Sequence, residues 1–204
     1  MSEYYMFNKP GGCITARRDP RHKTVMDYFP EEKRDTLFPV GRLDKDTEGL
    51  LLVTDDGVFN YNLLTPEREV PKTYFFWVKG RPSEEEISDI ESGVKIYKNH
   101  DFETSPSKIE ISAESTIGEI KELLSGEALK LSRRKPTLPV TSGYITITEG
   151  KKHQVKRMLM SAGCKVIYLK RTRIGDLSLD EGLPKGAYRP LTEEELRLLG
   201  VSEI

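Results

Sequence analysis

The sequence predicts an α+β fold: a mixed, mostly antiparallel sheet with flanking helices. Three observations lead there. Short runs rich in β-branched and aromatic residues outnumber the helix patterns. The helix patterns that do occur carry both start and stop signals. With 204 residues and 36% apolar content, the chain can bury a core as one large domain or as two lobes of one.

Strands are expected at Tyr4 to Phe7, Leu50 to Thr54, Thr73 to Lys79, Lys108 to Ile111, Gly143 to Thr148 and Lys165 to Tyr168. Tyr144-Ile145-Thr146-Ile147-Thr148 shows the period-two alternation of a strand with one buried face. A helix should start at Ser83, where Glu86 completes a capping box, and stop at Gly93; Thr192 with Glu195 repeats the device before Leu196 and Leu199. From His153 to Ala162, Val155, Met158, Leu159 and Ala162 form one apolar stripe ended by Gly163, and His153, Lys156 and Arg157 occupy the other face. The segment 114–142 is the least regular. A helix is expected around Ile117 to Leu124, followed by the basic run Lys130-Leu131-Ser132-Arg133-Arg134-Lys135. The whole reads as an exposed excursion, either a basic loop that orders on RNA or a variable insertion.

Composition excludes several classes. No apolar run approaches the roughly eighteen residues of a membrane span, and Met1-Ser2-Glu3-Tyr4-Tyr5 lacks the basic start and apolar stretch of a secretory signal. The two cysteines, Cys13 and Cys164, are too few and too far apart for a disulfide framework, which suits a reducing cytoplasm. His22, His100 and His153 are isolated from one another, with no HExxH or CxxC spacing, and neither a Walker-type loop nor GxGxxG is present, so no metal and no cofactor is expected. Charge is informative in its distribution. Between Lys130 and Arg173 twelve basic residues face the single acid Glu149, a net +11, while the rest of the chain is net −12. A solvated basic surface is the ordinary meaning of such a run. This one is long, almost free of acids and interleaved with apolar residues, which favours a polyanion held on one face.

The richest local pattern is Gly41-Arg42-Leu43-Asp44-Lys45-Asp46-Thr47-Glu48-Gly49, which runs into the apolar Leu50-Leu51-Leu52-Val53-Thr54. It loads acids and an arginine onto a short loop bounded by glycines and braced by a strand. Taken alone, an Asp after Leu in a loop is a turn or cap residue. Here the two glycines permit a tight path that presents Asp44, with Arg42 close in sequence to contact the acid or an RNA backbone.

This run, together with Phe7-Asn8-Lys9-Pro10-Gly11-Gly12, Lys72-Thr73-Tyr74, Glu149-Gly150-Lys151-Lys152-His153-Gln154-Val155-Lys156-Arg157-Met158, Leu169-Lys170-Arg171-Thr172-Arg173-Ile174-Gly175 and Gly186-Ala187-Tyr188-Arg189-Pro190-Leu191, closely resembles the ordered signature blocks of the ribosomal RNA pseudouridine synthases. The resemblance spans nearly the whole chain, with 114–142 the part least like the common core. It implies the family's two-lobed fold with a central cleft, one catalytic domain over 1–204, and no S4-like RNA-binding domain ahead of it, since the catalytic pattern is entered by Tyr5.

By the same resemblance, the activity is isomerisation of a specific uridine in ribosomal RNA, on free RNA or an assembly intermediate, with small-subunit (16S) RNA favoured over large-subunit (23S) RNA. The implied catalytic residues are then Asp44 as the carboxylate, Lys156 as the cation that keeps it charged and Tyr74 as the ring that stacks on the uracil, with a part in proton transfer also open to it; Leu169 is a pocket wall. Arg42 is expected to help fill the gap left by the extruded nucleotide or to hold the displaced backbone. Lys151, Lys152, His153, Gln154, Arg157, Lys170, Arg171 and Arg173 are expected as RNA contacts. A monomer with no membrane partner and no nucleotide cofactor completes the expectation. Two rivals remain: a non-catalytic RNA-binding or ribosome-assembly factor on the same fold, and an N-glycoside hydrolase pairing Asp44 with Asp46 or Glu48.

Overall fold

The computed structural model describes residues 2–97 and 101–201. The chain divides into two compact units, one formed by the chain up to Lys72 and again from Lys170 onward, the other by Thr73–Leu169.

In the first unit, β1 (Tyr4–Lys9) lies antiparallel to β3 (Glu48–Thr54), in a register running from Tyr4 opposite Thr54 to Lys9 opposite Gly49. The short β2 (Phe38–Val40) pairs with β3 as well. Helix α1 (Gly57–Leu64) follows, started by Asp56, whose carboxylate accepts the amides of Val58 and Phe59. Those amides and the Tyr4 hydroxyl hold the Asp56 pKa below its ordinary value. Strand β9 (Val166–Ile174) enters the unit at Lys170 and lies parallel to β3, placing Arg171 beside Gly49. The hairpin strand β10 (Leu177–Ser178), β11 (Tyr188–Pro190) against β1, and α5 (Glu193–Leu198) complete the unit. The Thr192–Glu195 capping box starts α5 as the sequence predicts. Met6, Leu50, Leu52, Phe59, Ile174 and Leu196 form the core of this unit.

The second unit is built on β4 (Lys72–Lys79), which lies between β9 and β8 (Pro139–Ile147), with β7 (Lys108–Thr116) antiparallel to β8 at the edge. Helix α2 (Glu84–Ser92) begins at the Ser83–Glu86 capping box and ends at Gly93, which takes a φ of 104°. A small hairpin follows, β5 (Lys95–Ile96) against β6 (Phe102–Glu103). Helix α4 (Gln154–Ser161) buries Val155, Met158 and Leu159, the stripe expected from the sequence. Beyond the helix, β9 continues past Tyr168 to Ile174, so the strand takes in the block Leu169-Lys170-Arg171.

The segment 114–142 departs from expectation. Ile117 to Leu124 is a turn and a short 3-10 helix, and the basic run belongs to an α-helix, α3 (Gly126–Arg134). The physical reason is packing. Ile117, Ile120 and Leu124 are buried against Trp77, Val140 and Tyr168, with Ala128, Leu129 and Leu131 of α3 covering them, so the chain here closes the core of the second unit. Arg133 and Arg134 remain exposed on the outer face of α3. No helix among the described residues is long and apolar enough to cross a membrane.

Candidate active site

Asp44 occupies the turn that leads into β3, closed by the Thr47 amide donating to the Asp44 carbonyl at 3.1 Å. The turn is held from beneath by Lys9 at the end of β1. This lysine is fully buried, and its ammonium is shared among the carbonyls of Thr47 (2.8 Å), Pro10 (3.1 Å), Asp44 (3.1 Å) and Lys45 (3.3 Å). Burial draws its pKa below the ordinary lysine value, and the acids of the loop, Asp46, Glu48 and Asp44, oppose that shift. A charge taken out of water is tolerated only where its hydrogen bonds are replaced, and here backbone oxygens replace them. Thr15 fixes the turn from its other end, its hydroxyl donating to the Leu43 carbonyl at 2.8 Å and accepting the Leu43 amide at 3.1 Å. The Gly12 amide donates to the Lys45 carbonyl at 2.7 Å. Asp44 is thus a half-buried side chain on a backbone tied at Leu43, Asp44, Lys45 and Thr47.

The two glycines that bound the loop both take positive φ. Gly41 takes a φ of 69°, and a Cβ there would come within 2.9 Å of a Leu64 methyl. Gly49 takes a φ of 100°, and a Cβ there would lie 2.2 Å from the Arg171 carbonyl oxygen, so only glycine lets β3 and β9 approach. Arg42 is exposed beside the turn. Glu48 pairs with Lys185 at 2.6 Å and its side chain is mostly buried. That partner leaves Glu48 poorly suited to act as the second carboxylate of a hydrolase.

In the second unit, Tyr74 is buried on β4 and Leu169 is buried on β9. Lys156 is half-buried on the first turn of α4, on the side away from Val155, Met158 and Leu159. That helix starts abruptly: His153 precedes it in the left-handed region, with a φ of 54°. A network around Glu149 sets the start. Its Oε1 accepts from the Gln154 side-chain amide (2.6 Å) and the Ser105 backbone amide (2.8 Å), its Oε2 pairs with Lys151 (2.8 Å), and the Gln154 Oε1 accepts the Lys151 amide (2.9 Å). Burial pushes the Glu149 pKa up, but Lys151, Ser105 and Gln154 outweigh it and the net shift is downward.

Several expected RNA contacts are placed otherwise. Arg171 is only 4% exposed, with its Nε donating to the Leu50 carbonyl at 2.8 Å, so it braces β9 against β3 and does not meet solvent phosphates. Gln154 is 3% exposed and serves the Glu149 network. Lys151 also donates to the Glu103 carbonyl at 2.5 Å and lies 4.9 Å from the Phe102 ring centre, with the Arg157 guanidinium 4.7 Å from the same ring. Both cations are therefore engaged within the protein. Lys152 and His153 are exposed, Lys170 is half-buried, and Arg173 is half-exposed, 3.8 Å from Asp176. His22 pairs with Asp19, and His100 lies outside the described residues. Among the described residues, no three His, Cys, Asp or Glu side chains gather into a metal-binding group.

Sequence reasoning gave no role to Lys9, Phe102 or Glu149. A buried lysine bonded to carbonyls has no local signature. The partners of Phe102 lie about fifty residues further along the chain. For Glu149, the signal available was its standing as the single acid of the basic segment.

Comparison with known proteins places this architecture. The family model for RNA pseudouridylate synthases matches residues 3–161, and the chain belongs to that family. It is 47% identical over 197 residues to an uncharacterized RNA pseudouridine synthase, YtzG, of Bacillus subtilis, covering 96% of this chain and 72% of that one. Ribosomal small subunit pseudouridine synthase A of Escherichia coli is 34% identical over 193 residues, covering 95% of this chain and 72% of that one. A crystal structure of a pseudouridylate synthase superposes with a TM-score of 0.77 at 32% identity, covering 98% of this chain and 74% of that one. The protein is an RNA pseudouridine synthase, an isomerase acting on RNA.

Proposed function

We propose that this enzyme isomerises one specific uridine of ribosomal RNA, in the small subunit, with Asp44 as its catalytic carboxylate. The observation that carries the reading is the Asp44 turn, whose backbone is fixed by a fully buried lysine bonded to four carbonyls. An ordinary surface turn does not need such an anchor; a carboxylate that must meet a reacting carbon within tenths of an ångström does. The choice of small-subunit RNA is supported by the relatives named ribosomal small subunit pseudouridine synthase A, 34–36% identical to this chain.

The reaction breaks the bond between C1' and N1 of uridine, turns the uracil while it stays bound, and joins C5 to C1'. The C5 hydrogen leaves to solvent, and a proton ends on N1. No external atom enters. Asp44 acts as nucleophile toward base or ribose, or stabilises a glycal-type route. Lys156 supplies the positive charge that keeps the carboxylate ionised when water is excluded. Tyr74 stacks on the uracil and Leu169 walls the pocket. The uridine leaves its stack to be reached, at about a few kcal/mol, and Arg42 takes the space or holds the displaced backbone. Lys152, Lys170 and Arg173 contact phosphates, which position the RNA without reading its sequence. A ribosomal RNA substrate is consistent with an enzyme of the cytoplasm.

The test is a pseudouridine map of ribosomal RNA from cells with and without the protein. One position in small-subunit RNA should lose its modification. Loss confined to large-subunit RNA would reassign the target, and an unchanged map of both would reject ribosomal RNA as substrate.

A further inference from the structure

We propose that Phe102 is a positioning residue for Lys156: its ring, gripped by Lys151 and Arg157, docks the β5–β6 hairpin onto the start of α4 and so fixes the direction of the Lys156 side chain. The inference rests on the role given to Lys156 above.

Three fastenings converge on residues 102–105. The Phe102 ring lies 4.9 Å from the Lys151 ammonium and 4.7 Å from the Arg157 guanidinium. The Glu103 carbonyl accepts from Lys151 at 2.5 Å, and the Ser105 amide donates to Glu149 at 2.8 Å. The same stretch is tied on its other side to the end of α2. Thr104 is buried, its amide donates to the Val94 carbonyl at 3.0 Å, and its hydroxyl accepts the Val94 amide at 2.9 Å. Gly93 passes so near that a Cβ there would lie 2.6 Å from the Thr104 carbonyl oxygen. Residues 102–105 therefore form a strut between the end of α2 and the start of α4.

That end of α4 needs bracing. The helix begins directly after a non-glycine residue in the left-handed region, His153 at a φ of 54°, a backbone state that persists only when its surroundings impose it. Arg157 follows Lys156 in the first turn, so fixing its guanidinium over a ring fixes the rotation of that turn. Cations are attracted to an aromatic face by its quadrupole, and the attraction strengthens as water is excluded. An aliphatic side chain of similar bulk supports the hairpin without that attraction. This assigns Lys151 and Arg157, two of the cations in the acid-poor segment, to internal alignment.

The experiment compares single-turnover pseudouridine formation at saturating enzyme with RNA affinity for Phe102→Leu, Phe102→Trp and Phe102→Ala, alongside Lys156→Met. Folding is checked by thermal unfolding. Phe102→Leu keeps apolar bulk and should fold, yet lose about tenfold or more in the single-turnover rate, as expected when a catalytic group is misplaced by around an ångström, with RNA affinity changed by less than about threefold. Phe102→Trp restores a ring and should recover most of the rate. A folded Phe102→Leu with the wild-type rate would overturn the proposal, as would a loss lying wholly in RNA affinity, which would make the hairpin an RNA contact. Wild-type rates in Lys156→Met would instead reject the role of Lys156, and no pseudouridine from the wild type on ribosomal RNA would reject the proposed substrate. These failures are therefore separable.

Discussion

Lys9 shows how much of the site is backbone engineering. Lysine is among the residues least often fully buried, because removing an ammonium from water is costly unless it is fully hydrogen-bonded. Here it is fully buried at the end of β1 and bonded to the carbonyls of Pro10, Asp44, Lys45 and Thr47. Replacing it with methionine keeps length and apolar contacts but removes the donor from buried acceptors. Lys9→Met should cost about 3 kcal/mol in urea unfolding, where a buried hydrogen-bonded charge is lost. It should also lower pseudouridine formation in the protein that remains folded, because the Asp44 turn is freed. A variant with wild-type stability would show that the carbonyls are satisfied without the lysine. The sequence made Asp44 visible because its motif is one continuous run, Gly41 to Gly49. Lys9 was visible only as part of a motif, since nothing in a lysine's own sequence context says that it is dry.

At the scale of elements, α4 was legible and α3 was not, for the same physical reason. The stripe Val155, Met158, Leu159 belongs to a helix whose one face is buried. Ile117, Ile120 and Leu124 imitate that spacing, but Ile117 and Ile120 lie in a turn and Leu124 follows a short 3-10 segment, all held inward by Trp77 and Tyr168 from distant strands. Tertiary burial decided the secondary structure there. The α4 start also carries a pH dependence. The folded pKa of Glu149 lies below its ordinary 4.5, so its stabilising contribution is present above that value and is lost as pH falls through the folded pKa. Glu149→Gln should therefore be less stable than wild type near neutral pH, with the difference shrinking as pH drops below 4.5. Chemical unfolding at a series of pH values measures this. A gap that stays constant across the range would mean that the charge of Glu149 contributes nothing.

For the whole molecule, the segregated charge visible in the sequence holds as composition but not as a uniform RNA-binding face. Arg171 is buried, and Lys151 and Arg157 grip Phe102. Lys152, Arg133, Arg134 and Lys165 remain exposed. Counting cations along the chain could not separate these groups, because the separation depends on which face of each strand or helix is covered. RNA affinity should therefore fall with salt less steeply than the full set of basic residues suggests. Lys152→Ala should reduce the slope of log K against log salt by about 0.7, the share of one phosphate contact to single-stranded RNA. Titrations across a salt series measure the slope, and an unchanged value would remove Lys152 from the contacts.

The central claim is that the carboxylate of Asp44 performs the chemistry, and tritium release from ribosomal RNA labelled with [5-³H]uridine tests it most directly. Asp44→Asn keeps the size of the side chain and leaves the backbone bonds of its turn intact, so the variant should fold and bind RNA as the wild type does. Its tritium release should nevertheless fall to background. Release at the wild-type rate would contradict the account.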